Sequence, residues 1–192
     1  MDIEKPIRAD VKKILEPFFT CFEEVAVHTS SDDLRRSDLL AVSNLDSSIP
    51  IVLGIEVKSH PNTSPGKFKE ALVQASKYVG AVVVDKRYSR ISGKSIDAAI
   101  VYPAPDYHGY GSVSENDGRE YFLTGMVFLA EALNVGMLVQ RKLDWEIRFG
   151  PNDLWSRNKG WMGHAKDRFP SKGTATAFDK ECMENGPFDS LD

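Results

Sequence analysis

The run from 51 to 58 (IVLGIEVK) is the strongest strand signal in this chain. Its β-branched residues lie between a polar turn at 44–50 and a loop rich in Pro, Ser and Asn at 60–66, which is the pattern of a β-strand. Successive side chains of a strand point to opposite faces, so Glu56 and Lys58 share one face. The strand therefore predicts a sheet that carries a carboxylate and an amine together at one end.

Helix and strand patterns alternate around this run. Apolar residues recur at helical spacing in three segments, at 6–19, 65–80 and 119–133. Short apolar or β-branched runs predict five further strands, at 24–28, 38–43, 96–102, 136–141 and 145–149. The order α-β-β-β-α-β-α-β-β predicts an α/β fold, with a mixed central sheet flanked by helices.

The length and composition predict one main domain. The chain has 192 residues, of which 42% are hydrophobic and 27% charged, as is typical of globular domains. We expect this domain to span residues 1–150, because Gly and Pro recur beyond Gly150 and predict an irregular C-terminal extension at 151–192, packed on the domain.

The same sequence predicts a cytoplasmic protein with no membrane partner. It lacks an apolar run long enough to span a bilayer and an N-terminal apolar signal core. Cys21 and Cys182 are far apart and form no CxxC pair, so we expect reduced thiols and no structural zinc site. The sequence leaves the oligomeric state open, including a homo-oligomer.

Positive charge is concentrated late in the chain. The net charge is −4, yet residues 141–180 carry nine basic and five acidic side chains and all three tryptophans. Cations interleaved with aromatic rings suit phosphate tracking and base stacking. We therefore predict nucleic-acid contacts at Trp155, Arg157, Lys159 and Trp161. The alternative is that the tryptophans anchor the C-terminal extension to the domain.

The candidate chemistry lies in the middle of the chain. Asp38 begins the strand before the 51–58 run, and a hairpin would bring its carboxylate beside Glu56. Two adjacent carboxylates repel each other and favour a bound cation, for which Mg²⁺ is the natural choice among oxygen ligands. The carbonyl of Val57 would add a third oxygen, and Lys58 a positive charge near the reacting water.

Three side chains outside this pair complete the prediction. Gln74 and Tyr78 are four residues apart on the predicted second helix, so they share a face that can support the site. Arg36 precedes Asp38 and could clamp a phosphate, with a solvated arginine as the equal alternative.

The pattern Asp…ExK…QxxxY resembles the PD-(D/E)XK nuclease superfamily, and its QxxxY element resembles the RecB-like branch. The resemblance covers residues 1–150 and implies a restriction-endonuclease-like core that cleaves DNA with Mg²⁺, for which Mn²⁺ can substitute. It implies that Asp38 and Glu56 are metal ligands and that Lys58 is the catalytic lysine, supported by Gln74 and Tyr78.

The sequence departs from that family in two respects. Ser37 stands where the name-giving motif has proline, and the iron–sulfur cysteines of some RecB-like members are missing. Many members also have an acid on the first helix, for which this chain offers Glu4, Asp10 and Glu16. Two other interpretations stay open. One is a catalytically silent nucleic-acid-binding or assembly module, and the other is an unrelated α/β protein in which Glu56 and Lys58 form only a surface ion pair.

Overall fold

The computed structural model describes residues 4–43, 50–59, 65–104, 118–141, 144–162 and 164–169. Within these ranges the helices are α1 (Lys5–Leu15), α2 (Pro65–Ser76), α3 (Gly118–Ala132) and α4 (His164–Arg168). The strands are β1 (Phe19–His28), β2 (Leu34–Ser43), β3 (Val52–Val57), β4 (Val82–Val83), β5 (Ala98–Tyr102), β6 (Val135–Arg141), β7 (Asp144–Phe149), β8 (Asn152–Ser156) and β9 (Gly160–Trp161).

All of these strands belong to one mixed sheet. Their order is β4-β1-β2-β3-β5-β6-β7-β8-β9. Strands β1, β2 and β3 form an antiparallel meander, β3, β5 and β6 are parallel, and β6 to β9 are antiparallel neighbours. The parallel centre thus lies between two antiparallel flanks.

The sheet curls into a half-barrel. Phe19 of β1 contacts Trp155 of β8 with ring centroids 5.4 Å apart, although six positions separate the two strands in the sheet. In a flat sheet that separation would be about 29 Å. The strands of the two flanks therefore pack against each other across the curl.

The predicted restriction-endonuclease-like core, a sheet flanked by helices, is wrong. Strands β4, β8 and β9 enlarge the sheet beyond the predicted set, and the helices are short, at 5 to 15 residues. In the core cluster around Phe19, the strand residues Phe149, Trp155 and Trp161 pack alongside residues of α1. On that face, curling of the sheet therefore buries surface that flanking helices were expected to cover.

The described residues after Gly150 extend this sheet and its core. Residues expected to be irregular form β8, β9 and α4, and Trp155, Trp161 and Phe169 join the core cluster that also contains Phe19. The domain boundary at residue 150 stays a prediction. Residues 170–192 lie outside the described ranges.

The outer edge of β1 is covered by the segment that follows β4. Strand β4 pairs with β1 at Val27 and His28. Farther along that edge, Asp85 accepts a hydrogen bond from the Ala26 N–H at 3.1 Å. Arg87 and Tyr88 donate to the carbonyls of Glu24 and Glu23 at 2.7 and 3.1 Å. Side chains thus replace a full-length neighbouring strand.

The same segment contains a tight ion pair. Arg87 donates to both carboxylate oxygens of Asp85, and these bonds hold the pKa of Asp85 well below its usual range. The carboxylate therefore stays charged as it holds the β1 edge.

No helix within the described part of the chain is long and apolar enough to cross a bilayer.

Candidate functional site

The pairing of β2 with both of its neighbours is interrupted at Asp38. The β2–β3 ladder ends at Leu39 and Ile55, and the β1–β2 ladder skips Glu24, whose φ of 50° is left-handed. The Asp38 carboxylate accepts the Val57 N–H at 2.7 Å, which replaces a backbone carbonyl as the ladder opens. A carboxylate is therefore fixed where the strands diverge.

Continuing the β2–β3 register by one residue sets Asp38 opposite Glu56. The ladder no longer pairs these two residues, but the charge of Glu56 raises the pKa of Asp38, so the two carboxylates lie close together. The two carboxylates therefore share one face at the end of the sheet, as strand alternation and the predicted hairpin require.

Glu56 is buried and held at both oxygens. It is 4% exposed. The Lys58 ammonium contacts Oε1, and the Tyr78 hydroxyl contacts Oε2. The same hydroxyl lies 3.0 Å from the carbonyl oxygen of Arg36, so its one proton is shared between two acceptors. These contacts fix the orientation of the Glu56 carboxylate.

Burial and the proximity of Glu56 raise the pKa values of two groups in this site, Asp38 and Tyr78. The pKa of Asp38 is raised to about 6, first by burial and then by the charge of Glu56, against the lowering effects of the Val57 N–H and Lys58. Burial and the nearby Glu56 also raise the pKa of Tyr78, which keeps its phenol protonated. The carboxylate pair thus favours the uptake of a proton or a metal cation.

The structure brings together most of the predicted catalytic residues, but it separates Gln74 from them. Helix α2 ends at Ser76, short of the predicted 80, so Tyr78 lies in the turn after the helix. Gln74 is exposed, and its side chain forms no hydrogen bond with the described residues. The helical spacing therefore does not place Gln74 and Tyr78 side by side.

The structure also distinguishes among the acids of the first helix. Glu4, at the N-terminus of α1, is the one whose charge raises the pKa of Asp38. Asp10 acts instead on the pKa of Tyr102, and Glu16 lies 3.8 Å from Lys12. The sequence alone did not distinguish among the three acids. The packing of α1 on the sheet determines which of them lies near enough to Asp38 to affect its pKa.

Of the residues predicted to contact nucleic acid, the basic ones are exposed and the tryptophans are buried. Arg36, Arg157 and Lys159 are exposed. Trp155 is 0% exposed and Trp161 is 5% exposed, so neither ring offers a face to a base. Both tryptophans pack edge-to-face on Phe19, as expected if they anchor the C-terminal part of the chain.

The candidate metal site consists of the Asp38 and Glu56 carboxylates. Among the described residues no group of three or more His, Cys, Asp or Glu side chains is arranged to hold one. Asp38 and Glu56 supply two carboxylates, and Mg²⁺ is commonly held by one or two carboxylates while it keeps several waters. The chemistry of the pair fits Mg²⁺ on that basis, and the Val57 carbonyl stays a predicted ligand.

None of the protein-family models, curated proteins or solved structures compared with this chain matches it.

Proposed function

We propose that this protein is a metal-dependent deoxyribonuclease that cleaves phosphodiester bonds at the Asp38–Glu56 site. The observation that carries the proposal is the fixed pair of carboxylates beside Lys58 at the opening of the β2–β3 ladder. These residues are also the ones that resemble the PD-(D/E)XK nucleases. The proposal includes DNA as the substrate and a cytoplasmic location.

Each residue has a distinct role in this proposal. Asp38 and Glu56 hold Mg²⁺ or Mn²⁺, which when bound supplies an acidified water and neutralises charge on the phosphate. Lys58 orients the water and stabilises the negative charge that develops on the phosphate oxygens. Tyr78 is a positioning residue, because its hydroxyl holds the Glu56 carboxylate from the side opposite Lys58.

A second candidate is a catalytically silent DNA-binding module. Both oxygens of Glu56 are engaged by protein donors, Lys58 and Tyr78. The Lys58 ammonium repels a metal ion that approaches Oε1, so metal binding there would move the lysine aside. An ion pair that resists displacement would preserve the local structure without catalysis.

The experiment compares cleavage of single-stranded, duplex, flap and junction DNA in Mg²⁺, in Mn²⁺ and in chelator. Asp38→Asn and Glu56→Gln remove one charge each, and thermal unfolding verifies that they fold. Asp33→Asn is the matched control, since Asp33 is an exposed carboxylate that pairs with Arg35.

We expect metal-dependent cleavage by the wild type and the control. The two site variants should lose about 100-fold or more, comparable to the loss of one electrostatic group from an active site. Cleavage in chelator, or wild-type rates in both site variants, would refute the assignment. DNA binding without cleavage in either metal would favour the silent module.

A further inference from the structure

The candidate site lies at the C-terminal end of β3, and the C-terminal end of β8 lies on the same side of the sheet. Strands β3, β5 and β6 are parallel, and β8 runs in the same direction because two antiparallel pairings separate it from β6. Their C-terminal ends therefore form one rim, which we define as the ends of β3, β5, β6 and β8 together with the turn after β8, residues 157–159.

Strand register places the two ends of this rim at the same height. When the β3–β5 ladder is extended by one residue and the β5–β6 ladder by two, the register through β7 to β8 brings Ser156 level with Lys58. Four strand spacings separate β3 from β8, or about 19 Å along the rim. The curl of the sheet makes the straight-line distance shorter.

The turn at 157–159 is fixed to the start of β7. Asp144 accepts hydrogen bonds from the Asn158 N–H at 3.2 Å and from the Ser156 hydroxyl at 2.7 Å. The Ser156 hydroxyl in turn accepts the Lys159 N–H at 3.2 Å, and the Arg157 N–H bonds to the Trp145 carbonyl at 2.8 Å. The backbone of the turn is thus held by its own polar network.

This network engages the Asp144 carboxylate but not the side chains of Arg157 and Lys159. Among the described residues, the donors to the Asp144 carboxylate are backbone N–H groups and the Ser156 hydroxyl, with no basic side chain among them. Arg157 and Lys159 are both exposed, and neither side chain forms a hydrogen bond or ion pair with the described residues. Two available cations on a rigid turn suit contact with phosphates, which position a protein on DNA without base readout.

We infer that the 157–159 turn is a second phosphate-binding point for duplex DNA, distinct from the site of cleavage. This inference rests on the proposed nuclease function. With a rise of about 3.4 Å per base pair, the rim distance corresponds to at most about six base pairs from the phosphate at Lys58. Asp144 is the positioning residue that keeps Arg157 and Lys159 on this path.

The first test is Arg157→Gln combined with Lys159→Gln. Duplex binding is measured by fluorescence anisotropy over a salt series in chelator, and cleavage is measured in Mg²⁺. Each lost phosphate contact lowers the log–log salt slope by about 0.9, so two contacts should lower it by about 1.8. We expect KM to rise while kcat stays at the wild-type value, since these residues bind DNA away from the reacting phosphate.

The matched control is Lys86→Gln combined with Lys94→Gln. These lysines lie beside β4, at the edge of the sheet opposite β8 and β9. Their replacement removes the same two positive charges. The control should keep the wild-type salt slope. If the control and the Arg157/Lys159 variant lose the same slope, general charge explains binding and the inference fails.

The second test separates positioning from net charge. Asp144→Ala removes a negative charge, so electrostatics alone would strengthen DNA binding, whereas release of the turn would weaken it. We expect weaker binding and a reduced salt slope, with thermal unfolding as the check on folding. Stronger binding would overturn the role of Asp144, and the Arg157/Lys159 variant decides the phosphate contact without it.

Failure of this inference is distinct from failure of the proposed function. A wild-type protein that cuts duplex DNA, with an unchanged salt slope in the Arg157/Lys159 variant, refutes the second contact and leaves the nuclease intact. A wild-type protein that neither binds nor cuts any of the four DNA forms refutes both.

Discussion

Replacement of Asp38 by Asn should make the protein more stable above about pH 6. The substitution keeps an oxygen that can accept the Val57 N–H and removes the charge that burial and Glu56 disfavour. In the absence of metal, the wild-type carboxylate destabilises the folded state whenever it is ionised.

The magnitude follows from the pKa. The folded protein raises the pKa of Asp38 from 3.8 to about 6. Between these values the folded state holds a proton that the unfolded state has released, so stability falls as pH rises. At about 1.4 kcal/mol per pKa unit, the wild type loses about 3 kcal/mol through this window, and Asp38→Asn does not. Below about pH 4 the carboxyl is protonated in both states, and the loss disappears.

Urea unfolding in chelator across this pH range is the assay. The difference in unfolding free energy between Asp38→Asn and the wild type should grow from about pH 4 to pH 6 and then level off. Asp33→Asn, the exposed control, should follow the wild-type curve. Mg²⁺ at about 100 times its Kd should restore about 2.7 kcal/mol to the wild type alone. Parallel wild-type and Asp38→Asn curves would refute the reasoning.

Four further changes test the site and the core. Lys58→Ala should lose turnover but keep Mg²⁺ affinity, measured by metal titration; a large loss of affinity would instead make the lysine a structural counter-charge. Tyr78→Phe should lower the unfolding free energy by about 1–3 kcal/mol in urea, because a buried carboxylate oxygen loses its donor. Gly136→Ala should cost about 1–3 kcal/mol by the same assay, since its Cβ would lie 2.6 Å from the Phe149 ring. Trp155→Ala should cost about 3–5 kcal/mol in guanidinium, and an unchanged midpoint would contradict its place in the core.

The parts of the fold that local periodicity determines were predictable. The segment 51–58 is a strand within one residue at each end, and 119–133 is a helix within one residue. The two-residue strands β4 and β9 are too short to show a period, and the curl depends on ring contacts between β1 and β8. Those contacts join residues more than 130 positions apart, which no local pattern reports.

The candidate site divides along the same line. Alternation along one strand placed Glu56 and Lys58 together, because it needs only local geometry. Gln74 was misplaced relative to Tyr78, because α2 ends at Ser76 and the chain turns toward Gly80 with a φ of 75°. The effect of the Glu4 charge on the pKa of Asp38 depends on how α1 packs on the sheet. The sequence does not reveal how a helix is oriented on a sheet.

The covering of β1 by side chains has a consequence for self-association. An exposed strand edge is a template for strand addition by another chain and for cross-β fibre growth. Along this edge the backbone groups of Glu23, Glu24 and Ala26 are already occupied by Tyr88, Arg87 and Asp85. The segment after β4, through Asp85, Arg87 and Tyr88, therefore protects this edge against aggregation. Substitutions that remove these side chains would appear first as concentration-dependent fibres.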